Sequence, residues 1–106
     1  MRTRIGGLAM RYKYLSTFHI CGKLISIYDS RFGKSHKFRN LLVEAAPDSA
    51  KFSNSVVVTL TGDDCDLADT FREGQHLDME GFVESYITAN GGYRTQLTIT
   101  KITKES

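Results

Sequence analysis

The fifty residues from Ser55 to Lys104 leave this chain little freedom in what it can fold into. They open on an alternating run, Val56-Val57-Val58-Thr59-Leu60-Thr61, that stops at Gly62. A short acidic segment, Asp63 to Phe71, leads to the turn Arg72-Glu73-Gly74-Gln75. A second alternating run, Leu77 to Tyr86, meets the hairpin signal Ala89-Asn90-Gly91-Gly92, and a third runs from Tyr93 to Ile102. Period-two alternation marks strands with one buried face, and paired glycines between two such runs mark a tight hairpin. The acidic segment reads as a short helix, with Asp63 or Asp64 as its cap and acids in its first turn, where the backbone dipole favours them. It lacks the glycine and distal glutamate of a calcium loop. Leu67, Ala68 and Phe71 are expected to plug the bottom of a small barrel, and Gly74 to end the helix.

The first half completes the pattern. Residues 1–14 are basic, contain Gly6 and Gly7 and show no apolar period, so they read as a flexible arm ahead of a domain at 15–106. In the first strand, about 15–28, Phe18, Ile20, Gly22 and Leu24 alternate before the phase slips to Ile25 and Ile27, which predicts a β-bulge beside the glycine. Residues 29–36 form a polar, cationic loop. In the second strand, about 37–45, Leu41, Val43 and Ala45 face in, while Phe38, Asn40, Leu42 and Glu44 face out, because Glu44 should not be buried. The third strand buries Val56, Val58 and Leu60 and leaves Val57, Thr59 and Thr61 outside. The fourth buries Leu77, Met79, Gly81 and Val83, and the fifth Leu97 and Ile99. Five strands with a short helix between the third and fourth make an all-β protein, a five-stranded OB-fold Greek-key barrel.

At 106 residues, 41% hydrophobic and 25% charged, the chain is one globular domain rather than a disordered segment. Its net charge of +2 hides an asymmetry: residues 1–45 carry nine Lys/Arg against two acids, and residues 46–106 five against ten. This favours an anionic partner on the first half. Cys21 and Cys65 lack CxxC spacing and a companion histidine cluster, so they are expected to be half-buried free thiols, with no metal, in a reducing cytoplasm. No apolar run suits a membrane helix or a secretory signal. His19, His36 and His76 are scattered, and no nucleophile elbow, HExxH or phosphate loop is present, so neither an enzyme nor a cofactor is expected.

What remains is a set of rings beside cations. Single-stranded nucleic acid is held by such surfaces, with bases stacked on exposed rings and phosphates on Lys or Arg. The candidates are Tyr12, Lys13 and Tyr14 on the arm, Arg31, Phe32 and Lys34 on the first loop, Lys37, Phe38 and Arg39 on the second strand, Lys51 and Phe52 after it, and Tyr86, Tyr93 and Arg94 flanking the last hairpin. Phe32 is either a lid over the core or a stacking platform.

Met79-Glu80-Gly81-Phe82-Val83, the hairpin exit Tyr93-Arg94-Thr95 and the turn Arg72-Glu73-Gly74-Gln75 give the chain, over about residues 15–103, a pattern that resembles bacterial single-stranded DNA-binding proteins and primosomal replication protein B. The resemblance implies binding of single-stranded DNA without a cofactor, and homodimers or homotetramers built through strand edges. The chain has no tryptophan and no glycine-rich tail with an acidic tip, which points to a dedicated binding protein in DNA replication or mobile-element transfer. An RNA-binding domain, or an assembly subunit using outward Leu42, Val57 and Phe82 to meet another protein, remains the alternative. Phe82 and Tyr86 would suit an isologous interface.

Overall fold

A computed structural model describes residues 16–33, 36–45 and 54–105. The predicted arm at 1–14 lies outside them, as do Lys34, Lys51 and Phe52. The elements are β1 (Thr17–Ile27), β2 (Arg31–Phe32), β3 (Lys37–Ala45), β4 (Asn54–Thr61), a 3-10 helix (Gly62–Thr70), β5 (His76–Ile87) and β6 (Tyr93–Lys104). Strand order is β1-β5-β6-β4-β3-β2, and an added β1–β3 pairing closes five of the strands into a barrel. β2 is a two-residue rung on β3 that the sequence pattern does not reveal. Every pairing is antiparallel except the contact of β4 with β6, a single parallel bridge from Thr59 to Thr98. Among the described residues no helix is long and apolar enough to cross a membrane.

β1 serves two neighbours. Thr17–Lys23 pairs with β5, Lys23–Ile27 pairs with β3, and a register shift between Leu24 and Ser26 lets the strand turn the corner. The phase slip at Ile25 is therefore the bulge, and Gly22, two residues before Leu24, does a different job. A Cβ there would stand 2.7 Å from the Glu44 carbonyl oxygen, so the glycine permits β3 to come close.

Leu24, Leu41, Val43, Val58, Leu60, Cys65, Ala68, Leu77, Met79 and Ile99 form the core, and Phe18, Ile20, Ile27, Val56, Phe71, Leu97 and Ile102 pack against it. These are mostly the alternating positions. The helix departs from expectation in three ways. It is capped at Thr61 without a side-chain bond, so Asp63 and Asp64 sit in its first turn rather than at the cap. It ends at Phe71, and Gly74, at φ +91°, shapes the turn beyond it. That turn is laced to β1, because Gly74 N–H donates to Leu24 O at 2.7 Å and Leu24 N–H to Gln75 O at 2.8 Å. Cys65 and Ala68 plug the barrel and Phe71 packs against the core as expected, whereas Leu67 is 41% exposed, because the tighter 3-10 winding turns it outward. Val83 is half-buried rather than core.

The thiols also differ from expectation. Cys65 is buried and Cys21 exposed, and both are free. Burial raises the Cys65 thiol above its ordinary pKa, partly offset by the nearby Lys37 ammonium.

Candidate nucleic-acid interface

Register decides which side chains share a face. Phe38 lies opposite Thr61, Asn40 opposite Thr59 and Leu42 opposite Val57. Since cross-strand partners point the same way, β3 and β4 present Phe38, Asn40, Val57 and Thr59 outward. Thr59 is nevertheless only 3% exposed, against the expectation of an open position. β6 closes on β4 at this residue, and the Thr59 hydroxyl donates to Asn40 Oδ1 at 2.8 Å. On the other strands Tyr86 lies opposite Arg94 and Glu84 opposite Gln96.

These faces enclose an open groove of about 830 Å³, within the usual size of a ligand cleft, lined by Gly33, His36, Phe38, Asn40, Val57, Thr59, Glu84, Ser85, Tyr86, Arg94, Thr95 and Gln96. A second groove, lined by Tyr28, Asp29, Arg31, Phe38, Asn40 and Val57, shares Phe38, Asn40 and Val57 with the first. The two form one trough with a common floor. Tyr28 and Arg31 stand at one end, Tyr86 and Arg94 at the other. A polar chain stiffens one wall: Gln96 Nε2 donates to Thr98 Oγ1 at 2.9 Å, and the Thr98 hydroxyl donates to Glu84.

Of the residues singled out in the sequence, the trough gathers Arg31, Phe38, Tyr86 and Arg94. It does not gather Phe32 or Tyr93. Phe32 pairs with Lys37 and Tyr93 with Ile87, which puts both rings on the opposite faces of their strands. Phe32 is 80% exposed and so covers no core. Tyr12, Lys13, Tyr14, Lys34, Lys51 and Phe52 lie outside the described residues.

Lys37 and Arg39 sit on the far side of β3 from Phe38, in phase with buried Leu41 and Val43. The helix carries carboxylates to them: Lys37 Nζ meets Asp66 Oδ1 at 3.3 Å, and Arg39 Nη1 meets Asp69 Oδ1 at 2.9 Å. Arg39 also donates from Nε to Tyr28 O at 2.7 Å and from Nη1 to Cys65 O at 3.3 Å. It clamps the helix and the β1 exit to β3. Arg39→Ala is expected to cost about 1–3 kcal/mol of stability, chiefly by leaving those carbonyls unsatisfied. It should leave the salt dependence of any ligand in the trough unchanged. Urea unfolding beside a salt titration checks both halves.

Tyr28, Asn40, Val57, Glu84 and Gln96 were not singled out from sequence as site residues. Alternation already marked Asn40 and Val57 as outward, and the expected burial of Val83 and Leu97 leaves their neighbours Glu84 and Gln96 outward as well. What was missing was the register that brings them together.

Five barrel strands, antiparallel but for the β4–β6 bridge, a corner-turning β1 and a helix beneath the barrel define an OB fold, with the trough on the face where such barrels carry ligands. No protein-family model matches the chain, and no curated protein matches it in sequence. Solved structures do match. The mitochondrial single-stranded DNA binding protein of S. cerevisiae superposes with a TM-score of 0.73 at 15% identity, over 86% of this chain and 96% of that one. The N-terminal domain of PriB from Thermoanaerobacter tencongensis, described as dimeric, gives 0.65 at 18% identity over 86% and 97%. The SSB domain of a Synechococcus protein gives 0.67 at 15% identity over 86% and 97%. The fold is thus the OB barrel of SSB and PriB domains, as the resemblance in sequence implied.

Proposed function

We propose that this chain binds single-stranded nucleic acid, most simply DNA, along the trough between Tyr28/Arg31 and Tyr86/Arg94, without strong sequence preference and without a cofactor. The observation that carries the reading is the continuous floor of Phe38, Asn40 and Val57, with a ring and a guanidinium at each end, on a fold whose solved examples include single-stranded DNA-binding proteins. Bases stack on the rings and Arg31 and Arg94 meet phosphates. Asn40 and Gln96 supply amide groups for base edges. The protein works as a homodimer or homotetramer. Among the described residues, the Thr17–Gly22 stretch of β1 pairs with β5 on one side and has no strand on the other, and such an edge invites a second copy.

The test is fluorescence-anisotropy titration with labelled oligo-dT, oligo-U and duplex of equal length, beside light scattering. Binding of oligo-dT in preference to duplex is expected, and tighter oligo-U binding would assign RNA instead. Two phosphate contacts give a log–log salt slope of about −1.4, and each added cation steepens it by about 0.7. A folded protein that binds no oligonucleotide at low salt would overturn this reading and favour the competing role, a protein-interaction module using exposed Val57.

Glu84 provides a check of sign. Its carboxylate lies in the trough wall and repels phosphate. At about 8 Å through water that repulsion is worth about 0.5 kcal/mol. Glu84→Gln, which keeps an acceptor for Thr98, should therefore tighten oligo-dT binding about twofold at low salt, and the gain should vanish at high salt.

A further inference from the structure

A cluster outside the trough brings together chemistry that sequence spacing separates. Cys21 lies directly opposite Asp78 in the β1–β5 ladder, and His19, two residues along, shares its face. His19 Nε2 is 2.6 Å from Asp78 Oδ1, Cys21 Sγ is 3.8 Å from the same Nε2, and the three donor atoms all lie within 4.8 Å of one another. Both contacts of the imidazole use one nitrogen. A nucleophile–base–acid relay needs the two ring nitrogens to face different partners, so the arrangement is unsuited to thiol catalysis. Slight desolvation first, then the carboxylates of Asp78 and Glu105, raise the Cys21 thiol above its ordinary pKa, which removes thiolate rather than supplying it.

We propose that His19, Cys21 and Asp78 form a binding site for a zinc-class divalent cation on the outer face of β1 and β5. The donor set decides the class: thiolate and imidazole select zinc-like ions, whereas magnesium and calcium require oxygen. Tetrahedral zinc with bonds of about 2.0–2.3 Å sets its ligand atoms about 3.3–3.8 Å apart. The sulfur–nitrogen pair already fits, and the nitrogen–oxygen pair needs less than about 1 Å of opening. Two ligands face each other across a paired ladder and the third lies on the same strand, so backbone hydrogen bonds fix their separation in advance. The His19 and Asp78 side chains are 57% and 33% exposed, leaving the outer coordination positions to water. Metal uptake would displace the thiol proton into solvent, with no redox step.

The test uses the full chain without a polyhistidine tag. Zinc is titrated against a chromogenic chelator, and cobalt uptake is followed by absorption. One ion per chain is expected, with a near-ultraviolet thiolate-to-cobalt band. Loss of outer-shell groups alone costs metal sites about 10–100-fold in affinity, so Cys21→Ser and His19→Ala should each cost at least as much, and Cys21→Ser should abolish the band. Both residues are exposed, so the variants should melt near the wild type without metal. Cys65→Ser should keep both uptake and band. No stoichiometric uptake by folded wild-type chain, or uptake that survives Cys21→Ser unchanged, overturns the site. Oligo-dT affinity is measured alongside, and its loss or retention bears on the trough alone.

Discussion

Gly81→Ala is expected to unfold the chain or leave it barely folded. Gly81 sits between two neighbours, paired with Phe18 on β1 and with Ile99 on β6. A Cβ there would stand 1.9 Å from the Thr98 carbonyl oxygen, 2.8 Å from its carbon and 2.9 Å from Phe18 Cε2. The first two are backbone atoms in the β6 ladder, so relief requires the ladder to move, at the register shift where β6 carries the extra residue Thr100. A clash of this kind belongs with the exceptional substitutions that cost about 4–5 kcal/mol or more. A domain's whole stability is about 5–15 kcal/mol. Gly92→Ala is the contrast, because its Cβ would meet only Thr88 Oγ1, at 3.4 Å, and a hydroxyl can rotate away. Circular dichroism through a urea series should show Gly81→Ala unfolded, or nearly so, and Gly92→Ala close to the wild type. A normal midpoint for Gly81→Ala would contradict the close approach of β5 to β6.

Phe38→Ala should produce the largest single loss of oligonucleotide affinity. Its ring lies on the shared floor of the trough, so any strand running from Arg31 to Arg94 crosses it. Base stacking is worth about 1–3 kcal/mol per ring, which is about 5–150-fold in affinity. Stacking releases few counterions, so the salt slope should hold, whereas Arg94→Ala should flatten it by about 0.7. Phe38 is half-buried and lies outside the core set, so its truncation should destabilise less than the roughly 3–5 kcal/mol of a core phenylalanine. Anisotropy and thermal melting on the same sample separate the two effects. A folded Phe38→Ala protein with undiminished oligo-dT affinity would remove the ring from the proposed interface.

The two predictions draw on different layers of information. Alternation placed Phe38, Asn40 and Leu42 outward and Leu41 and Val43 inward, because side chains on a strand must change sides at every residue. The same rule separates Lys37 and Arg39 from Phe38. On that side the helix carboxylates Asp66 and Asp69 meet the two cations. The Gly91-Gly92 hairpin and the helix after Gly62 were legible as well, since both depend on a few neighbouring residues.

Most strand faces, the main turns and the order of the five barrel strands and the helix thus follow from local chemistry, and the sequence alone determined them. Which faces meet was decided by tertiary structure. Asp69 reaches Arg39 across thirty positions and Asp78 reaches Cys21 across fifty-seven, through the placement of the helix under β3 and the register of β5 against β1. Period two says which way a side chain points but not which residue stands opposite it. That depends on how the barrel closes, and closure is settled by the whole core at once.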